Sequence, residues 1–314
     1  MTRTIAIAAL IVGVWACRIC ADVADFQVVA RSQITQSRSG EVVQTEQLAR
    51  QYPATQTQTP VEALTEMSQS DAGATLWSAY NRVLSNDPQY NSAVPTDFVL
   101  ETAAGSADPE VSLALSSTAS QTRTINVLES EFPTFPTGSP LNLQSSFLLD
   151  GGLAAVIPNT AGSAAGLEMV FGLNLAKNGT DLWSGTVSLV GAADGSVTTA
   201  TSGSFHANDF EVSPIAMGDL ATVYLLEFDD ADIPFDYLAS VGETFDLEAE
   251  ITLDMAIPGG LGGGAAFGTV PTELVMMTQD LFSTAASSAA AAAPEPATLL
   301  LLVAGAVAGL IRRR

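Results

Sequence analysis

The apolar positions along this chain recur mostly at every second residue. The clearest run is Phe245, Leu247, Ala249, Ile251, Leu253, Met255 and Ile257, interleaved with Asp246, Glu248, Glu250, Thr252 and Asp254. A period of two sends alternate side chains to opposite faces, so this run predicts a strand with one face in a core and the other in water. Met169, Phe171, Leu173 and Leu175 alternate in the same way, and Trp183, Val187 and Leu189 share a face further on. Between these runs stands Lys177-Asn178-Gly179, and Asn-Gly is the commonest tight hairpin turn because both residues tolerate positive φ. Leu220 to Phe228 is more continuously apolar and reads as an interior strand. Val111 to Ser117, Gln121 to Leu128 and Leu143 to Leu149 are further short strand candidates. Many strands, frequent turns and little helix predict an antiparallel β-sandwich, jelly-roll or Ig-like, over 94–282.

The N-terminal third breaks this rhythm. Residues 22–93 are rich in Gln, Ser and Thr, and Gln56-Thr57-Gln58-Thr59-Pro60 has the composition of an exposed loop. Thr59 and Pro60 suit the cap and first position of a short helix. Leu76, Tyr80, Val83 and Leu84 fall at helical spacing and predict a second one. This segment is expected to be less regular than the sandwich.

Both ends are apolar. Arg3 followed by Ile5 to Ala16 has the charge and length of a signal peptide, with cleavage expected after Ala21. Cys17 and Cys20 are the only cysteines and lie inside this leader, so the exported chain is expected to carry no thiol and no disulfide. At the other end a Ser/Ala linker, 283–293, leads to Pro294-Glu295-Pro296, an apolar run from Ala297 to Ile311, and Arg312, Arg313 and Arg314. The prolines break regular structure, and the arginines resist translocation, which leaves the body outside the membrane. Fifteen helical residues span about 22 Å, less than the roughly 30 Å of a hydrocarbon core. The segment therefore suits a transient membrane stop better than a permanent anchor.

Residues 294–314 resemble the PEP-CTERM sorting signal of Gram-negative bacteria, with motif, short helix and basic end in that order. The resemblance implies recognition of Pro294, Glu295 and Pro296 by an exosortase-type processing enzyme. It also implies a setting of extracellular polysaccharide or biofilm matrix. The stretch from Tyr237 to Leu247, with Gly259 to Gly264 and Ala266 to Thr269, is more loosely similar to the closing strands of surface domains that bear this signal.

Charge narrows the partners. The chain has 34 acidic and 11 basic residues, a net charge of −23, and removing both ends takes away five of the basic residues and one acidic residue. Such a body repels nucleic acid and anionic lipid. Its densest acidic set, Asp229, Asp230, Asp232 and Asp236 beside Glu227, reads as a loop, and its oxygens make it the candidate calcium site. The EF-hand spacing is not met. His206, the single histidine, lies between Ser204 and Asp209 with no Gly-x-Ser-x-Gly elbow, and the Gly259–Gly264 run lacks the Gly-Lys-Ser/Thr of a phosphate loop. No catalytic residue is assigned and no cofactor is expected apart from calcium.

The sequence thus predicts a non-enzymatic exported protein, membrane-held at least transiently and then at the cell surface or in the matrix. Signal peptidase, an exosortase and extracellular polysaccharide are its expected partners. The alternatives are a carbohydrate-binding module that uses a sandwich face, with or without calcium, and a matrix glycan hydrolase.

Overall fold

The computed structural model describes residues 22–53, 61–71, 74–85 and 98–271, and in them the chain is almost wholly antiparallel β. Fourteen strands follow in order among the described residues: β1 (Asp22–Arg38), β2 (Glu41–Pro53), β3 (Val61–Asp71), β4 (Ala74–Ser85), β5 (Phe98–Ser106), β6 (Val111–Asn126), β7 (Pro140–Pro158), β8 (Glu168–Lys177), β9 (Thr180–Gly191), β10 (Val197–Gly203), β11 (Glu211–Met217), β12 (Ala221–Ser240), β13 (Thr244–Ile257) and β14 (Gly262–Pro271). They form two seven-stranded sheets. Sheet A runs β10-β9-β8-β13-β6-β1-β2, and sheet B runs β11-β12-β7-β14-β5-β4-β3. The sheets pack face to face: β1 and β6 lie against β3, β4 and β5, β13 against β5, and β9 against β12.

The last two strands are the innermost. β13 pairs with both β6 and β8, and β14 with both β5 and β7, so they join the two halves of each sheet. All seven apolar residues of the β13 alternation are buried, and the acidic and threonine positions between them face away from the core. The Asn-Gly hairpin forms as predicted, with Asn178 at φ 49° and Gly179 at φ 72° joining β8 to β9. Of the run Leu220 to Phe228, the residues from Ala221 onward form the start of β12, between β7 and β11, while Leu220 lies exposed in the turn before it.

The N-terminal third is a correction. The described residues between 22 and 85 are not a separate irregular segment, because β1 pairs along its length with β6 and β4 pairs with β5. Leu76, Tyr80, Val83 and Leu84 lie in strand β4 rather than a helix. Thr75, Trp77, Ala79, Asn81 and Val83 turn inward and are buried, and the polar Asn81 among them obscures the period of two. Thr59 and Pro60 lie outside the described residues, and the chain immediately after them is strand β3. In the glycine run Gly259–Gly264, the residues from Gly262 onward belong to the central strand β14, and Gly259 and Gly260 lie in the turn before it.

The space between the sheets has two characters. Around β8, β12 and β14 it is aromatic: Phe171 stacks on Phe267 with centroids 3.9 Å apart, and Phe205 and Phe228 pack beside them. Around β1, β4 and β6 it is polar. Asn81, fully buried, donates to the carbonyls of Gln33 at 3.3 Å and Ser116 at 2.9 Å, while its Oδ1 accepts from Thr102 at 3.1 Å and from Ser117. Ser32 bonds Thr65 at 2.5 Å and donates to the Asn81 carbonyl at 2.9 Å, and Gln121 donates to Ser85 at 2.7 Å. Buried polar atoms are costly when left unsatisfied, and this network satisfies Asn81 while tying the two sheets together.

Candidate functional site

The outer face of sheet A is built by the polar half of each alternation. On β6 it carries Ser116, Thr118, Ser120, Thr122 and Thr124, and on β13 it carries Asp246, Glu248, Glu250, Thr252 and Asp254. Register sets these side by side: Thr124 faces Asp246, Thr122 faces Glu248, Ser120 faces Glu250 and Ser116 faces Asp254. Thr124 donates to Asp246 at 2.7 Å.

At one end of this face a groove of about 270 Å³ runs across β1, β6, β13 and β8. Two rows perpendicular to the strands make it. Gln33, Ser116, Asp254 and Val170 stand in one; Thr35, Ala114, Ala256 and Glu168 stand in the other. The two alanines lower the middle of the second row, leaving Asp254 and Glu168 standing above it as diagonal neighbours on adjacent strands. Such diagonal neighbours lie about 7–8 Å apart, with their Cβ atoms somewhat closer. Both carboxylates are exposed, and neither makes an ion pair among the described residues. Gln33 donates to Thr35 at 3.3 Å, which fixes the far end of the groove.

The opposite outer face, on sheet B, differs. Ala154, Val156, Ala221, Val223 and Leu225 form a second apolar cluster there with Ile215 and Met217. Two strands away from its β7 residues, on β5, Glu101 is 4% exposed and receives Arg82 at 3.0 Å. Burial raises the Glu101 pKa, against the lowering effect of Arg82.

The acidic set expected on a loop lies instead within strand β12. Asp229 and Asp230 occupy a register break between Phe228 and Ala231, whereas Asp232 and Asp236 pair with β7. The inward positions Ile233, Phe235 and Tyr237 are buried, so Asp232 and Asp236 are left on the outer side, exposed, with Pro234 between them. Four residues of strand separate their Cα atoms by about 13 Å. Among the described residues no three His, Cys, Asp or Glu side chains converge as a metal site requires. His206 is exposed in a turn, its N–H donating to Asp209 Oδ2 at 2.7 Å.

Residues 1–21, where a leader is expected, and Pro294, Glu295, Pro296, Arg312, Arg313 and Arg314 lie outside the described residues. Among the described residues no helix is long and apolar enough to cross a membrane. The groove residues were not singled out by the sequence. Glu168 and Asp254 are 86 positions apart, and only the β8–β13 register makes them neighbours.

Comparison with known protein families gives no match, nor does comparison with characterised proteins. One solved structure, of infectious bursal disease virus Gx strain, is similar over 79% of this chain and 67% of that one. Its sequence identity is 11% and its TM-score 0.13, a likeness that carries no argument.

Proposed function

We propose that this is an exported, non-enzymatic β-sandwich of jelly-roll type. It is sorted through a PEP-CTERM signal and serves at the cell surface or in the extracellular matrix. The observation that carries the reading is the order of signals around the β body. A leader with both cysteines comes first, and a thiol-free acidic chain follows. Pro294-Glu295-Pro296, an apolar run and three arginines then close it. Signal peptidase and an exosortase-type enzyme are the processing partners. The jelly-roll assignment is supported by strands that lie opposite one another and follow closely in sequence, as β2 and β3 or β5 and β6 do.

A structural role is supported by where the aromatics lie. Phe171, Phe205, Phe228, Phe235, Tyr237 and Phe267 are buried, and among the described residues no sheet face presents an aromatic strip. Carbohydrate binding by a sandwich face is the second reading, favoured by the groove across sheet A. Calcium would act through Asp229, Asp230, Asp232 and Asp236 only if β12 rearranged to bring them together.

The test is mass spectrometry of both ends of the chain recovered from membrane and surface fractions. An N-terminus at Asp22 and a C-terminus close to Pro294 are expected. A product retaining both Met1 and Arg314 would contradict the reading.

A further inference from the structure

We propose that the groove across the outer face of sheet A binds a short stretch of a neutral, hydroxyl-rich polysaccharide lying across the strands.

The shape suits a polymer passing over the sheet. The groove crosses three strand-to-strand gaps, about 14 Å at roughly 4.8 Å each, and lies on the outer face of the sheet. Its floor at Ala114 and Ala256 is level because no side chain rises beyond a methyl group. Apolar patches from Val170 and the two alanines suit the C–H faces of sugar rings, and the polar groups beside them suit the hydroxyls. Asp254 and Glu168 are acceptors only when ionised, the Gln33 amide both donates and accepts, and Thr35 and Ser116 do either. Acceptors and donors thus alternate around a floor that is half apolar, which is the composition of a site for a polyol rather than for a hydrocarbon or an ion.

Charge selects against the other occupants. Two carboxylates line the groove and no lysine or arginine does, and the whole chain is at −23. An anionic polymer is therefore repelled, both locally and by the field of the body. A calcium ion wants six to eight oxygens at short range, and the groove sets its two carboxylates apart on separate strands. A peptide cation would pair with the carboxylates but leave the apolar floor and the neutral donors unused. Hydrolysis would need one of the two carboxyls sheltered from water to act as acid, and both are exposed.

Without a ring stacked on the sugar, each site binds weakly. Many copies on one surface, facing one repetitive polymer, convert that into firm attachment. The inference rests on the surface reading only for where the polymer is met; binding itself is a property of the purified chain.

The test is affinity gel electrophoresis of the full chain in mild detergent, with hydroxyethylcellulose or dextran as neutral polymer and alginate as anionic polymer. Retardation by at least one neutral polymer, none by alginate, and a loss of about tenfold in affinity in the Glu168→Gln/Asp254→Asn variant are expected. Ala256→Phe, which fills the floor from an outward position, should abolish retardation while circular dichroism stays unchanged. Failure of both neutral polymers, equal retardation of the variants, or binding that requires added calcium would overturn the proposal. Release of reducing ends from the polymer would overturn it in favour of hydrolysis. None of these results bears on where the chain's ends are cut, so the export reading stands or falls separately.

Discussion

Arg82 and Glu101 stand directly opposite each other on β4 and β5, and the guanidinium donates from Nη1 to Glu101 Oε2 at 3.0 Å. The same guanidinium reaches Glu62 through Nε at 2.6 Å. Glu101 is the buried member, and its Oε1 has no hydrogen-bond partner. Arg82 is thus the group that makes an otherwise unfavourable carboxylate tolerable.

Removing the cation should cost more than removing the acid. Breaking a buried pair from one side leaves a stranded charge, so Arg82→Met should lower unfolding free energy by about 3 kcal/mol. Glu101→Gln should be neutral or stabilising near pH 7, and the double variant should recover most of the loss. Urea denaturation at fixed pH measures all three.

The same pair sets a pH dependence. Burial holds the Glu101 pKa above its ordinary value, so the native state keeps that proton to higher pH than the unfolded chain. The contribution of Glu101 to stability is therefore full below about pH 4.3, the unfolded value, and is lost as pH rises through the raised value. Subtracting the stability curve of Glu101→Gln from that of the wild type should isolate this fall. A difference that rises with pH would contradict it.

Tyr80, next to this pair, has its pKa pushed up to about 12, first by burial and then by the charge of Glu101. An unfolded tyrosine ionises near 10, so folding stability should decline between about pH 10 and 12 as the unfolded phenol ionises first. Tyr80→Phe should flatten that part of the curve, and tyrosinate absorbance should show one fewer late-titrating group. Tyr237, also raised by burial, should remain.

Close strand packing in sheet B depends on missing side chains. A Cβ at Gly152 would lie 2.2 Å from the Leu226 carbonyl oxygen, and one at Gly151 would lie 2.0 Å from that of Ala266. Gly152→Ala must push β7 and β12 apart, and a loss of about 3 kcal/mol or more is expected. Gly162→Ala meets nothing within 4 Å and should stay within about 0.5 kcal/mol of wild type. Thermal unfolding of the two variants gives the comparison.

How much of this was legible depended on whether the inward face was apolar throughout. β13 announced itself because every inward residue from Phe245 to Ile257 is hydrophobic. The β8–β9 hairpin did so through Asn178-Gly179, whose turn chemistry is local. β4 did not, because Asn81 occupies an inward position and is satisfied only by Thr102, Ser117 and two carbonyls that lie far away in sequence. β12 was read too short because the acids from Asp229 onward suggested a loop, yet Ile233, Phe235, Tyr237 and Ala239 carry the alternation on. The groove was beyond reach for a different reason: it is a property of register between β1, β6, β13 and β8. No single stretch of sequence contains it.

The central claim, that the acidic body lies outside the cytoplasm, has a direct test because the chain's two cysteines, Cys17 and Cys20, both precede the β body. Ala200 is exposed on the edge strand β10, so Ala200→Cys offers one thiol on the folded surface. Intact cells of the native host would be treated with a small charged maleimide that passes porins but not the inner membrane. The account predicts that the Ala200→Cys chain is labelled in intact cells and that the wild-type chain carries no label even after lysis. Labelling of Ala200→Cys only after lysis, or of Cys17 and Cys20 in the mature wild-type chain, would contradict it.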